Sequence, residues 1–276
     1  MTISCGKNIY LRELSPGDED RILEIVYACA ANSTRLLYRA YKNSMYNQSF
    51  RISMNDILEK DFLPKMFKNF KNFDNIMARK NITKKEQYEA YLDEIYEALK
   101  FFPDDHLFFP YGPIQPPFEK KVKEFLDSAI KTKDDNDRRI YRMGIMKYDV
   151  LIGCFTIDFD EHIVEDYPDI TTGDPGIFID PACRIDNGIS SWKVAFLLAT
   201  TIVEKFCPSK VKENKISVTT HRLNEETGNI LSESNGFKEH GPVNTEYGAR
   251  RFFTITQQEF VTNFRKGETN YQAVIT

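Results

Sequence analysis

Residues 176–206, GIFIDPACRIDNGISSWKVAFLLATTIVEKF, gather the residue types that can hold a phosphate. An apolar run, Ile177–Ile179, stops at Asp180-Pro181. A polar turn of small residues follows, and an apolar run of helical length opens at about Ile189–Ser190. The first amides of a helix have no partner within it and point outward, so a loop placed there is a ready anion site. After Pro208-Ser209 comes a second strand candidate, Lys215–Thr220. Strand, loop, helix and strand in one unit imply a parallel pair joined by a right-handed crossover.

Other chemistries find less support. The five cysteines are odd in number, scattered and without a CxxC pair, which points to a reducing compartment and to no disulfide framework or zinc site. His106, His162, His221 and His240 lack metal-ligand spacing, so no metal is expected. A net charge of −4 argues against a dedicated nucleic-acid binder and is compatible with cationic substrates. Apolar content of 41% with 28% charged residues suits a soluble globular chain, and 276 residues could form one large domain or two small ones. No apolar run approaches membrane-spanning length, and Met1–Tyr10 lacks the order of a secretory signal. A cytoplasmic site of action is expected, with export by a signal-less route left open.

The elements that must position the loop can be read in order. Asn8–Leu14 reads as an opening strand, and Ser15-Pro16-Gly17-Asp18 starts a helix that reaches about Ala31. Asn32–Phe102 reads as helical throughout, and an all-helical insertion at about 32–105 is expected. Within it, Asp56–Phe73 is amphipathic, and Thr83 with Glu86 forms a capping box before Tyr88, Tyr91, Leu92, Ile95 and Leu99. Phe102–Pro117 is a proline-rich aromatic loop leading to a helix at Phe118–Ile130. Arg139–Met146 and Val150–Phe159 flank a turn and make a hairpin, and Asp160–Thr172 is expected to be a long acidic connection. Beyond the central unit, a short helix ends at Asn235-Gly236, where a left-handed cap fits. Phe237–Val243 and Arg250–Ile255 form a second hairpin, and Thr256–Phe264 a terminal helix.

This order resembles the GNAT N-acyltransferase fold, most of all its branch that acetylates ribosomal-protein N-termini. The resemblance rests on VLIGCFTID (Val150–Asp158), on GIFIDPACRIDNGIS with its helix, and on Asn224 through Asn235-Gly236-Phe237. Pro110–Pro113 with the following helix adds to it. It implies an α+β fold in a single domain over 1–276, with the helical insertion within it: a mixed, mostly antiparallel sheet with a central strand–loop–helix–strand coenzyme unit. The family's phosphate motif, Gln/Arg-x-x-Gly-x-Gly/Ala, is departed from here. One register puts Arg184 at the basic position but sets Asn187 and Ile189 at the small ones. The other, preferred, sets Gly188 and Ser190 at the small positions, with the apolar Ile185 at the basic position and one extra loop residue.

The resemblance further implies acetyl-CoA as co-substrate and a primary amine as acceptor, on a small molecule or a protein. Phe178 and Ile179 would pair with the pantetheine arm, Asn224 and Asn229 would hold it, and Arg184, Asp186, Asn187, Gly188, Ile189 and Ser190 would surround the diphosphate. A base must neutralise the amine; Asp158 and Glu161 are favoured over Asp160, His162 and Asp174 because family bases lie near that strand's end. The family's usual tyrosine acid is absent, and Ser232 stands in its place. Cys183 lies in the loop, but no histidine is near it in sequence, and the family transfers directly. The implied activity is N-acetylation of a protein N-terminus, a lysine, a polyamine or an aminoglycoside. The alternative is a non-catalytic module of the same fold, with the helical insertion as a partner surface. A doubly wound nucleotide-binding unit is disfavoured, because further strand–helix repeats and GxGxxG are missing.

Overall fold

A computed structural model describes residues 1–4, 9–43, 71–78, 85–99, 114, 117–133, 137–183, 185–186, 189–207, 215–221, 225–245, 248–268 and 271–276. Strand β1 (Thr2–Ser4) precedes β2 (Ile9–Glu13), whose Ile9 and Leu11 alternate into the core. Ser15 then starts a 3₁₀ turn, its N–H and hydroxyl both on Asp18 Oδ2 at 2.7 and 2.9 Å. Helix α1 (Glu19–Asn43) follows and runs well past Ala31, because no Gly or Pro interrupts it there. Residues 71–77 are helical, and α2 (Lys85–Leu99) buries the expected stripe of Tyr88, Tyr91, Leu92 and Ile95. Thr83, residues 56–70 and most of the aromatic loop lie outside the described residues. Helix α3 (Phe118–Thr132) buries Phe118, Val122, Phe125 and Leu126.

β3 (Ile140–Lys147) and β4 (Val150–Val164) meet at Tyr148 and Asp149, whose φ of 49° and 62° suit a tight two-residue hairpin. The expected acidic connection after them is instead strand. β4 continues to Val164, turns at Glu165-Asp166 and returns as β5 (Tyr167–Ile179), with Ile163 opposite Thr171 and His162 opposite Thr172. Acidic residues are poor strand formers, and their density hid this pairing in the sequence. A bulge between Asp158 and His162 bends the arm, since four steps along β4 match two along β5.

The central loop also differs from expectation. After a 3₁₀ turn at Pro181–Cys183, β6 (Ile185–Asp186) pairs antiparallel with β7 (Ile189–Ser190), and helix α4 (Ser191–Phe206) opens one residue later than expected. Asn-Gly at 187–188 is a strong two-residue hairpin signal, passed over in favour of an open loop. β8 (Lys215–His221) leads to α5 (Glu225–Asn229) and a π-helical turn, Ile230–Ser234, which ends at Gly236 with φ +75°. β9 (Lys238–Thr245), β10 (Gly248–Thr256) and α6 (Gln257–Arg265) complete the expected C-terminal order. Thr256 and Glu259 form the capping box of α6. The tail, unread in the sequence, supplies β11 (Val274–Ile275), which pairs with β1.

The main sheet runs β11-β1-β2-β3-β4-β5-β8-β10-β9, and every ladder is antiparallel except β5–β8. The fold is α+β, mixed and mostly antiparallel, with a strand–loop–helix–strand unit at its centre. Helices cover both faces. Phe178 meets Phe125 of α3, whereas Phe155 meets Phe196 of α4. Phe178 shares its face with its register partner Cys154, and Phe155 points the other way, so α3 and α4 lie on opposite sides.

Candidate functional site

The parallel ladder at the sheet centre has two rungs among the described residues, Thr172 with Lys215 and Gly173 with Ile216. Beyond them β5 stays on β4 and β8 stays on β10, so the two strands part. The sequence supplies a reason at Pro175. By alternation, the odd residues of β5 turn their main-chain groups toward β8: Asp180 N–H donates to Ile152 O at 2.8 Å, which makes Ile179 opposite Gly153 a pair that bonds away from β4. Pro175 has the same parity as Ile179 and no N–H to offer β8. The next odd residues, Ile177 and Ile179, therefore aim main-chain groups at the gap, and the Ile179 carbonyl meets Cys29 Sγ at 3.3 Å. Pro-Gly at 175–176 is a breaker signal inside a strand and could have located this fork in the sequence.

The end of β5 is fixed by a buried polar cluster. Asp180 is wholly buried and takes the Tyr96 hydroxyl at 2.7 Å, Arg21 Nη2 at 3.4 Å and the Ala182 amide at 3.0 Å. Arg21 also donates to Leu151 O at 2.8 Å and lies over the Tyr96 ring. One α2 face carries both Tyr96 and Tyr88, two helical turns apart. The Tyr88 hydroxyl meets Cys183 Sγ, and Lys147 Nζ lies 5.3 Å from the Tyr88 ring centre. Ser191, the first residue of α4, spends its hydroxyl on Cys183 O. Burial, then the negative charge of Asp180, pushes the Cys183 thiol well up, while Tyr88, Arg21 and Lys147 oppose this. A buried thiol held protonated is a poor nucleophile.

Phe178 and Ile179 line the β5 side of the fork with buried side chains. Ile189 and Ser190 pair with Asp186 and Ile185, so the expected row of unpaired amides is partly taken up by a small hairpin. Arg184, Asn187, Gly188 and Asn224 lie outside the described residues, and Glu161 falls in the bulged part of β4. Asp158 sits on β4 opposite Asp174, on the face of α3. Arg142, beside it on β3, is brought down by burial and held up by the Asp158 charge, and lies over the Phe125 ring. Asn229 is exposed on α5. Ser232 donates to Gly228 O at 3.1 Å, a back-bond within its own turn.

The β8 side of the fork carries groups that sequence reading did not assemble. Ser217 follows the last rung with β5 and stands opposite Thr254, both nearly buried. Gly173 and Ile216 share the α4 face, so Ser217 and Thr254 project to the α3 face, with Asp158. His240 Nε2 lies 2.6 Å from Thr254 Oγ1, and the His240 ring packs on Phe252 and Tyr167. The Tyr167 hydroxyl donates to His240 O, tying the β4–β5 arm across this face. Partial burial, then the charges of Lys238 and Lys215, hold His240 below the ordinary imidazole range.

Among the described residues, no three His, Cys, Asp or Glu side chains are placed to hold a metal, and no helix is long and apolar enough to cross a membrane. No protein-family model matches the chain, and no curated protein matches it. Among solved structures, it is similar to Mycobacterium smegmatis RimJ in complex with CoA-disulfide, at 12% identity over 96% of this chain and 92% of that one, with a TM-score of 0.43. It is also similar to the aminoglycoside acetyltransferase AAC(6')-Ib in complex with coenzyme A, at 15% identity over 51% and 78% of the two chains, with a TM-score of 0.34. The Microcin C7 self-immunity acetyltransferase MccE in complex with acetyl-CoA and AMP is similar at 12% identity over 54% and 78%, with a TM-score of 0.39.

Proposed function

We propose that this chain is an N-acetyltransferase that moves the acetyl group of acetyl-CoA to a primary amine by direct attack. The observation that carries this reading is the fork itself: a parallel pair that parts after Gly173 and Ile216 and turns the main chain of Ile177 and Ile179 into the opening. An extended chain of amides such as pantetheine can pair with those groups as an added strand. The diphosphate lies near the start of α4, where helix amides and dipole favour an anion. Loop residues Arg184, Asp186, Asn187, Gly188, Ile189 and Ser190 surround it in this reading, and Asn224 and Asn229 flank the arm.

The acceptor approaches from the α3 face. Its neutral nitrogen attacks the thioester carbonyl, an N–C bond forms, the C–S bond breaks, and the thiolate leaves with a proton from the amine. A main-chain N–H in the fork steadies the oxyanion. Asp158 and Glu161 remain candidate bases for the amine. A protein N-terminus, a lysine, a polyamine or an aminoglycoside would each fit the chemistry, and the acidic β4–β5 arm favours a cationic one. A coenzyme-binding module without turnover is the second reading; it draws on Ser232, whose proton is committed to Gly228. Thermal unfolding with acetyl-CoA, followed by thiol release on a panel of peptides, polyamines and aminoglycosides, tests both. Stabilisation of about 2.7 kcal/mol at a hundredfold excess over Kd is expected. Binding without thiol release on any acceptor would favour the module, and no stabilisation at millimolar acetyl-CoA would overturn both.

A further inference from the structure

On the N-acetyltransferase reading, the amine must lose a proton before it attacks, and the group that takes that proton need not touch it. We propose that His240 is the terminal acceptor of this proton, reached through the hydroxyls of Thr254 and Ser217. Three observations place the relay. Ser217 is the first β8 residue past the last rung with β5, so it stands at the mouth of the fork. Thr254 faces it directly across the β8–β10 ladder, close enough for side chains to meet. His240 Nε2 is 2.6 Å from Thr254 Oγ1. All three project to the face that also carries Asp158.

In the tautomer with the proton on Nδ1, the Thr254 hydroxyl donates to Nε2. The ammonium proton passes to Ser217 Oγ, the Ser217 proton passes to Thr254 Oγ1, the Thr254 proton moves to Nε2, and the amine is left neutral with its lone pair free. The imidazolium is half-exposed and returns its proton to solvent after each turnover. The groups that face the ring are Lys238 on its own strand, Lys215 at the start of β8, and Tyr167, which donates to the His240 carbonyl. Asp166, at the tip of the arm, is held by the Asn244 amide at 2.8 Å, and Glu239 is turned to Arg251 at 2.7 Å. Burial, then the cations near the ring, favours the neutral form, the one that can accept a proton. Asp158, by contrast, shares its surroundings with Arg142.

The test compares wild type with His240→Gln, Thr254→Val and Thr254→Ser. The acceptor probe is whichever of spermine, kanamycin or a short unblocked peptide wild type acetylates. Glutamine can keep a hydrogen bond to Thr254 but cannot titrate. The expected H240Q enzyme is stabilised by acetyl-CoA as wild type is, loses about 10²-fold in kcat, and no longer slows as pH falls through the imidazole range. T254V should show the same loss, and T254S should restore most of it. An H240Q variant with wild-type rate and pH profile would overturn the relay. So would equal loss of coenzyme stabilisation in H240Q and T254V, which marks a merely structural role. Titration of the four imidazoles by NMR, with H240Q assigning the signal, needs no acceptor: the His240 midpoint should coincide with the acid limb of the wild-type rate profile, and a midpoint that does not would overturn the proposal. If wild type neither binds acetyl-CoA nor releases thiol, the functional reading itself falls, which these readouts separate from failure of the relay.

Discussion

The two walls of the fork are built from opposite materials. On the β5 side, a buried carboxylate, a guanidinium, two phenols and a thiol lock the strand end to α1 and α2. On the β8 side stand two hydroxyls and one imidazole, which partial burial and then nearby lysines hold below its ordinary range. Charges taken out of water hold geometry only while each keeps its partner, so the first wall suits a socket that must not move. A neutral network of hydroxyls and imidazole changes protonation at little cost, so the second wall suits proton traffic. Variants on the two sides should therefore separate, with stability and coenzyme affinity following the β5 side and pH dependence following the β8 side.

The largest effect is expected from Asp180→Ala. It leaves Arg21 to Glu24, Leu151 O and Tyr96, frees the Tyr96 O–H and the Ala182 amide, and should lower stability by ~3 kcal/mol in chemical unfolding. Acetyl-CoA affinity should fall with it, while the acid limb of the rate profile stays. Gly153→Ala comes next. A methyl group there would fall 2.4 Å from Phe178 O and 2.9 Å from Ile179 Cα, both main-chain atoms of the β5 wall. Overpacking of this kind costs about 1–3 kcal/mol, and the displaced strand should raise the Kd for acetyl-CoA several-fold, measurable by calorimetry. Tyr96→Phe is the mildest: it removes the hydroxyl that donates to the Asp180 carboxylate and accepts from Arg21, about 1.5 kcal/mol in unfolding. A Y96F variant that changed the pH profile instead would break the division between the walls.

Much of this arrangement could be read from residues 140–260, because hairpins, caps and helix stripes are local. The Tyr148-Asp149 turn and the terminal helix Thr256–Phe264, and outside that range the Tyr88–Ile95 stripe, each depend on neighbours within a few positions. The acidic arm was misread because register with β5, not strand propensity, decides its state. The small hairpin was missed because Asn187-Gly188, a strong local turn signal, was set aside for an open phosphate loop. Asp180 was read only as a strand stop, since Arg21 and Tyr96 are distant in sequence. His240 was weighed only as a metal ligand, and its contact with Thr254 exists only once β9 has paired with β10. Pro175 is the exception: a local signal of the fork that was present and unused.

The most direct measurement is amide hydrogen exchange across residues 172–182, with and without acetyl-CoA. The expected result is that the Ile177 and Ile179 amides, open to the gap in the free chain, become protected when the coenzyme is added, while Phe178, already bonded to β4, changes little. Unchanged exchange at Ile177 and Ile179 under saturating acetyl-CoA would contradict the fork as the place where the thioester lies.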